Sequence, residues 1–253
     1  MRCCFRLAPF NYSATRCEAL SSFGRRRFLT SGLFLTSGLS QAASASDQDL
    51  SEVAALKHDL KLSLSASSPP LYSDGPVSAR IDSLLDQLCE LNPTANPGST
   101  AGFGPYASGT WRVVFAPHIA KLSSLAGARF DPIIYTLDGS GRILSHVQYS
   151  APLGAVGWLS TRGTYGSRDE AETSFVEWED AWWNPGAADA PSDTALGGAF
   201  AGLVSTASRA GFVTAFANFP VKYLDQDLCV FVFPLSGTRI AAVKQGGSLD
   251  MWA

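Results

Sequence analysis

Charge is scarce in this sequence. Of its 253 residues, 16% are Asp, Glu, Lys or Arg, while 46% are hydrophobic. A soluble surface ordinarily draws on more charge, so the shortage leaves room for an apolar cavity or a membrane-facing patch. Basic charge is scarcer still once the first 45 residues are set aside. Those carry six arginines (Arg2, Arg6, Arg16, Arg25, Arg26 and Arg27) and one acid, Glu18. The remainder carries 13 Lys and Arg against 21 Asp and Glu, a net of -8. An acidic body disfavours nucleic acid and purely electrostatic docking on anionic lipid, so any membrane contact has to be apolar.

Other absences narrow the chemistry. The three histidines, His58, His118 and His146, are dispersed. There is no HExxH, no GxSxG nucleophile elbow, no Walker loop and no dinucleotide fingerprint. These gaps leave only a catalytic group assembled in space from distant residues, and no cofactor or metal is expected. There is also no CxxC. Cys3, Cys4 and Cys17 fall in the first 45 residues, which leaves Cys89 and Cys229. They either pair in an oxidising compartment or sit as small buried hydrophobes. No apolar run is long enough to span a bilayer: Phe28 to Ala43 is short and diluted by Gly, Ser and Thr. Gly198 and Gly202 have the small-xxx-small spacing, which carries little without a span. No internal repeat of fixed period is present.

What is present begins with an address. Residues 1–24 are rich in Arg, Ser, Ala and Cys and poor in acids, as organelle transit peptides are. Arg25-Arg26-Arg27-Phe28-Leu29-Thr30 then fits the twin-arginine pattern, and Ala43-Ser44-Ala45 offers a small-x-small cleavage site. Two signals in series resemble the bipartite presequence of proteins carried through the chloroplast stroma into the thylakoid lumen. A plain stromal transit peptide is the alternative. The expected organisation is an address over 1–45, a helix and linker over 46–76, and the folded domain over 77–253.

In the mature chain, Leu50, Val53, Leu56, Leu60 and Leu64 recur at helical steps, with Asp47 placed as N-cap. Ser65 to Pro76 reads as a linker. A second amphipathic helix is expected from Val77 to Leu91, through Ile81, Leu84, Leu85 and Leu88, with Asn92-Pro93 as its stop. Pro93 to Ser108 reads as a loop. The period then changes to two. Strands are expected at Thr110–Pro117, Pro132–Leu137, Arg142–Tyr149, Trp158–Tyr165, Phe175–Trp183, Leu228–Leu235 and Thr238–Lys244. Asp138-Gly139-Ser140-Gly141 marks a hairpin. Ala195 to Phe219 reads as a short helix or loop followed by a strand near Phe212. Many short strands without βαβ alternation argue for a barrel or sandwich.

Three segments resemble the plastid lipid-associated proteins, also called fibrillins. They are the helix ending in Leu91-Asn92-Pro93, the strand Gly109-Thr110-Trp111-Arg112-Val113-Val114-Phe115, and Phe219-Pro220-Val221-Lys222-Tyr223-Leu224-Asp225-Gln226-Asp227-Leu228. The resemblance covers about residues 77 to 245. It implies a mainly β, lipocalin-like antiparallel β-barrel with one or two N-terminal α-helices. It also implies an apolar ligand (a prenylquinone, a carotenoid or an acyl lipid) at thylakoids or plastid lipid bodies. One departure stands out: family members usually carry an arginine soon after the Asp-x-Asp pair, and Cys229-Val230-Phe231 stands there instead.

The candidate ligand-binding residues are Trp111, Trp158, Trp178, Phe216, Tyr223, Asp225 and Asp227, each weighed against an ordinary place in the core or in a turn. Phe175, Phe212 and Phe231 are further aromatics for a pocket. Trp182 and Trp183 are adjacent, so a regular strand sends them to opposite faces. One of them is then exposed or lies in a loop against Asn184-Pro185-Gly186, and both are candidates for a surface anchor on a membrane or a partner. The expected function is non-enzymatic binding or sequestration of a hydrophobic small molecule. The alternatives are an assembly factor for a thylakoid protein complex and a barrel enzyme, the last marked by polar side chains converging in an apolar cavity.

Overall fold

The expected switch from helical to strand period falls at Gly109 in the computed structural model, which describes residues 47–73, 75–168, 173–187, 189–190 and 218–251. The chain divides into two units, Met1–Ala43 and Ser44–Ala253. The first unit, and with it nearly all of the address, lies outside the described residues. So do Phe212, Phe216 and the rest of 195–217. The helix and linker of 46–76 belong to the same unit as the strands.

Two helices come first, α1 (Asp47–Ser65) and α2 (Gly75–Glu90). After a short helix, α3 (Thr100–Ala107), come β1 (Gly109–Phe115), α4 (Pro117–Ala126), β2 (Arg129–Leu137), β3 (Arg142–Ser150) and β4 (Val156–Arg168). Then follow β5 (Thr173–Pro185), β6 (Asn218–Leu224), β7 (Leu228–Val232) and β8 (Arg239–Lys244). The eight strands pair antiparallel in sequence order, and β8 closes on β1 to complete a barrel. Among the described residues no helix is long and apolar enough to cross a membrane.

Two apolar layers share one wall. On the outside, Leu60 and Leu64 of α1 and Ile81, Leu85 and Leu88 of α2 pack against Val114, Val230, Ala241 and Val243. On the inside, Trp111, Val113, Leu224, Cys229, Ile240 and Ala242 face the barrel interior. A wall buried on both sides cannot alternate apolar with polar, which is why Ile240-Ala241-Ala242-Val243 is a continuous apolar run. Each fully buried leucine of the helix layer contributes roughly 1.5–3 kcal/mol. Leu50, expected on the same helical face, is instead 53% exposed at the first turn.

Several boundaries differ from expectation. Pro93 to Ser108 holds α3: Ser99 caps it by accepting from the Gly102 N–H at 3.1 Å, and Phe103 and Ala107 are buried. Its Gly and Pro content hides a helix from any periodicity count, and burial of those two side chains holds it. Sequence reading also missed α4, although Pro117 at its start and Gly127 just past its end, at φ 63°, are the usual punctuation. β2 begins three residues before Pro132, and its register shifts between Phe130 and Ile133. A proline lacks the N–H a ladder needs, so the strand passes it as an irregularity. The expected linker is held too, because the Tyr72 hydroxyl lies 2.6 Å from Ser123 Oγ and accepts from the Phe130 N–H at 2.6 Å. α2 starts at Gly75 rather than Val77, and β7 stops at Val232, where the chain turns back through Gly237 to Phe233.

The β4–β5 hairpin carries the longest ladder and a bulge, since Arg162 pairs with Asp180 and Gly163 with Trp178. A β-carbon on Gly163 would lie 2.0 Å from the Glu177 carbonyl oxygen. Gly163→Ala is therefore expected to cost about 2 kcal/mol. Calorimetry should show this as a melting point lowered by about 4–8 °C in a domain of this size.

Candidate functional site

The barrel interior is not completely filled. A half-enclosed cavity of about 90 Å³ lies among side chains from all eight strands and from α3. Trp111, Leu137, Ile143, Val176, Trp178 and Phe231 supply much of its apolar wall, and Phe103 and Ala107 of α3 close in from one end. No charged side chain among the described residues lines it. Trp111 anchors this end: its indole N–H donates to the Ala107 carbonyl at 2.9 Å, and the Lys244 ammonium sits 5.3 Å from its ring centre. Phe103 meets Tyr165 edge-on at 6.0 Å.

The polar atoms in the wall are few. The Tyr165 hydroxyl is committed to the Asp138 carbonyl at 2.5 Å. Asp138 in turn organises the hairpin turn, accepting from the N–H groups of Ser140 and Arg142 at 2.9 and 2.8 Å. Those bonds hold its exposed carboxyl below the usual range. Ser174 Oγ is buried and makes no hydrogen bond. Burial pushes the Tyr135 hydroxyl up to about 12.

Of the candidate ligand residues, Trp111 and Trp178 line the cavity. Trp158 does not. It lies on the outward face of the β3–β4–β5 wall in a buried cluster with His146, Ser160 and Trp182. There His146 Nδ1 and Ser160 Oγ are 2.8 Å apart, and both indoles meet the imidazole edge-on at 6.3 Å. Trp182 is only 2% exposed, so it is no surface anchor. Its register beside Ser160 carries it onto this covered face. Trp183 faces the other way, pairs with Leu159 at the strand end and is 46% exposed. Its N–H donates to the Tyr149 hydroxyl at 2.6 Å. Phe216 lies outside the described residues.

Tyr223, Asp225 and Asp227 do not line the cavity; they form a clasp between α1 and the β6–β7 turn. Lys57 donates to Asp225 Oδ2 and Asp227 Oδ2, both at 3.0 Å. Asp225 Oδ2 also accepts from the Tyr223 hydroxyl at 2.5 Å, and its Oδ1 accepts from the N–H groups of Asp227 and Leu228 at 2.8 and 2.9 Å. Ser248 donates to Asp227 through both its N–H and its hydroxyl. Burial works against the Asp227 charge, but hydrogen bonds from Ser248 and Lys57 prevail and hold its carboxyl below the usual range. The carboxylate oxygens are thus occupied by protein donors. No group of three or more His, Cys, Asp or Glu suited to a metal occurs among the described residues.

Cys89 and Cys229 are free thiols. Burial pushes Cys229 up to about 12, with the Asp225 charge adding, and pushes Cys89 up to about 11 against the opposing charge of Lys222. The folded chain therefore keeps protons that the unfolded chain gives up near pH 8.5. Stability is unaffected below that pH and falls above it, by roughly 1.4 kcal/mol per pH unit for Cys229 until its folded value is reached. The urea midpoint is expected to fall steadily between pH 9 and 11, and less steeply in Cys229→Ala.

Compared with known proteins, the chain matches no protein-family model and no curated sequence.

Proposed function

We propose that this chain is a fibrillin-like, non-enzymatic binder of a hydrophobic small molecule, acting in the chloroplast at the thylakoid, with residues 1–45 as its address into the lumen. The observation that carries the reading is the uncharged, largely apolar cavity within a closed eight-stranded barrel. An apolar ligand there gains roughly 25 cal/mol for each Å² of its surface removed from water. Its size restricts the cargo. An apolar cavity of roughly 150 Å³ holds one benzene, and this one measures about 90 Å³. A whole prenylquinone or carotenoid does not fit inside; a molecule smaller than benzene, or the end of a longer one threaded through the open side, does. The test is mass spectrometry of small molecules extracted from the protein purified out of intact thylakoids. A stoichiometric neutral lipid or isoprenoid supports the reading. A folded, empty protein with no affinity for any apolar probe rejects it.

A second reading, contact with a thylakoid complex or membrane, is favoured by an exposed apolar rim. Leu153 at 106%, Trp183 at 46%, Leu159 at 40% and Val156 at 39% exposure cluster at the β3–β4 turn and the end of β5. Trp183→Ser with Leu153→Ser is expected to abolish co-purification with thylakoids if this rim is the contact, leaving cavity binding intact.

A further inference from the structure

Resting on that reading of the barrel as a binder, we propose that the cavity selects a neutral molecule bearing an acceptor oxygen, such as a ketone, ester or quinone-type carbonyl, over a pure hydrocarbon or a fatty-acid anion. Two hydroxyls carry the argument. Ser174 lies on the inner side of β5, is 5% exposed, and its Oγ has no hydrogen-bond partner. Tyr135 is half-buried, projects from β2 beside its cross-strand partner Trp111 and brings a second hydroxyl to the same cavity wall. Buried polar groups are nearly always paired, and an unpaired one is costly. Ala would fill the Ser174 position without that cost. Both hydroxyls line one apolar void, so the group that meets them is whatever enters it.

The chemistry of that group follows from what the wall offers. A hydroxyl can donate or accept, and Tyr135 stays protonated at any physiological pH because burial pushes it up to about 12. Two neighbouring donors are spent: the Trp111 indole N–H on the Ala107 carbonyl and the Tyr165 hydroxyl on the Asp138 carbonyl. A hydrocarbon offers neither hydroxyl a partner. A carboxylate would be buried without a cation, since no Lys, Arg or His lines the cavity among the described residues. The nearby Lys244 ammonium is held over the Trp111 ring and donates to the Tyr106 carbonyl at 3.3 Å. A carbonyl oxygen accepts from a hydroxyl through each lone pair, needs no countercharge, and leaves the attached chain to the aromatic and aliphatic wall.

Three six-carbon probes test this on the intact chain: hexane and 2-hexanone by headspace depletion, and hexanoate by equilibrium dialysis. The expected order is 2-hexanone tightest, by about tenfold over hexane, with hexanoate weakest. Tyr135→Phe and Ser174→Ala are each expected to weaken 2-hexanone severalfold and to leave hexane binding unchanged. Because Ser174→Ala removes a buried unpaired hydroxyl, its melting point should hold or rise, so a loss of binding there cannot be blamed on misfolding. Equal affinity for hexane and 2-hexanone would overturn the carbonyl assignment while leaving the cavity a binding site, as would two variants that bind 2-hexanone like the parent. Preference for hexanoate would overturn it in favour of an acid ligand. Failure of every probe to bind would remove this inference together with the binding reading.

Discussion

Asp225→Ala is expected to destabilise the domain by about 3 kcal/mol, lowering its melting point by about 6–12 °C. The substitution removes an acceptor used four times. It strands the N–H groups of Asp227 and Leu228 in a tight turn, the hydroxyl of the fully buried Tyr223, and half of the Lys57 ion pair. The side chains of Lys57 and Asp225 are 15% and 17% exposed, so the pair is neither fully screened nor fully desolvated. A value below the cost of a completely buried broken pair therefore follows. Asp225→Asn keeps the acceptor for the turn and should lose less than half as much. Ligand affinity measured well below the melting point should be unchanged in both variants. An Asp225→Ala protein that melts normally but no longer binds would mean that Asp225 touches ligand and that the clasp is incidental.

Filling the void should have the opposite signature. Ala242 faces the cavity from the inner side of β8, between Cys229 and Val113. Ala242→Leu adds three carbons where the structure leaves about 90 Å³. Binding of 2-hexanone is expected to fall by at least about tenfold, while stability holds or rises by about 1 kcal/mol as in other cavity-filling changes. Headspace depletion and urea melts on the same preparation read both quantities. Retained affinity would place the ligand elsewhere, and the apolar rim around Trp183 would be the next surface to test. A loss of 1–3 kcal/mol would mean that the β8 wall is already packed tight at this position.

Strand period and turn chemistry reached as far as a barrel or sandwich, and the resemblance to a lipocalin-like family pointed to the barrel that the eight strands form. The hairpin at Asp138–Gly141 and the Trp111 strand stand where alternation put them. What alternation does not contain is the identity of the neighbour on each face. Trp158 and Trp182 have the same sequence credentials for a pocket as Trp178, yet a bulge at Arg162/Gly163 and the row shared with His146 put them on the outward face. Asp225 and Asp227 read first as turn-forming, with a metal- or ligand-orienting role as the alternative, and the arrival of Lys57 from about 170 residues away in sequence is what the string does not display. Tyr135 and Ser174 carry no motif at all. Their interest arises from a shared cavity wall and, for Ser174, a missing partner, which a one-dimensional string cannot display. α3 was invisible to periodicity because it is short and rests on the burial of Phe103 and Ala107, and α4 because it is short and buries only Ser123.

The wall formed by β8, β7 and β1 separates the helix layer from the cavity by a single thickness of backbone. Val243 presses on the helices while Ala242, its immediate neighbour, borders the void. In amide hydrogen exchange this wall should form the slowest cooperative unit, opening only when the whole domain unfolds. An occupant of the cavity would then slow exchange in β8 by the same factor by which it raises global stability. The far end of the β4–β5 hairpin, with its exposed Leu159 and Trp183, should exchange through local fraying and remain indifferent to whether the barrel is loaded.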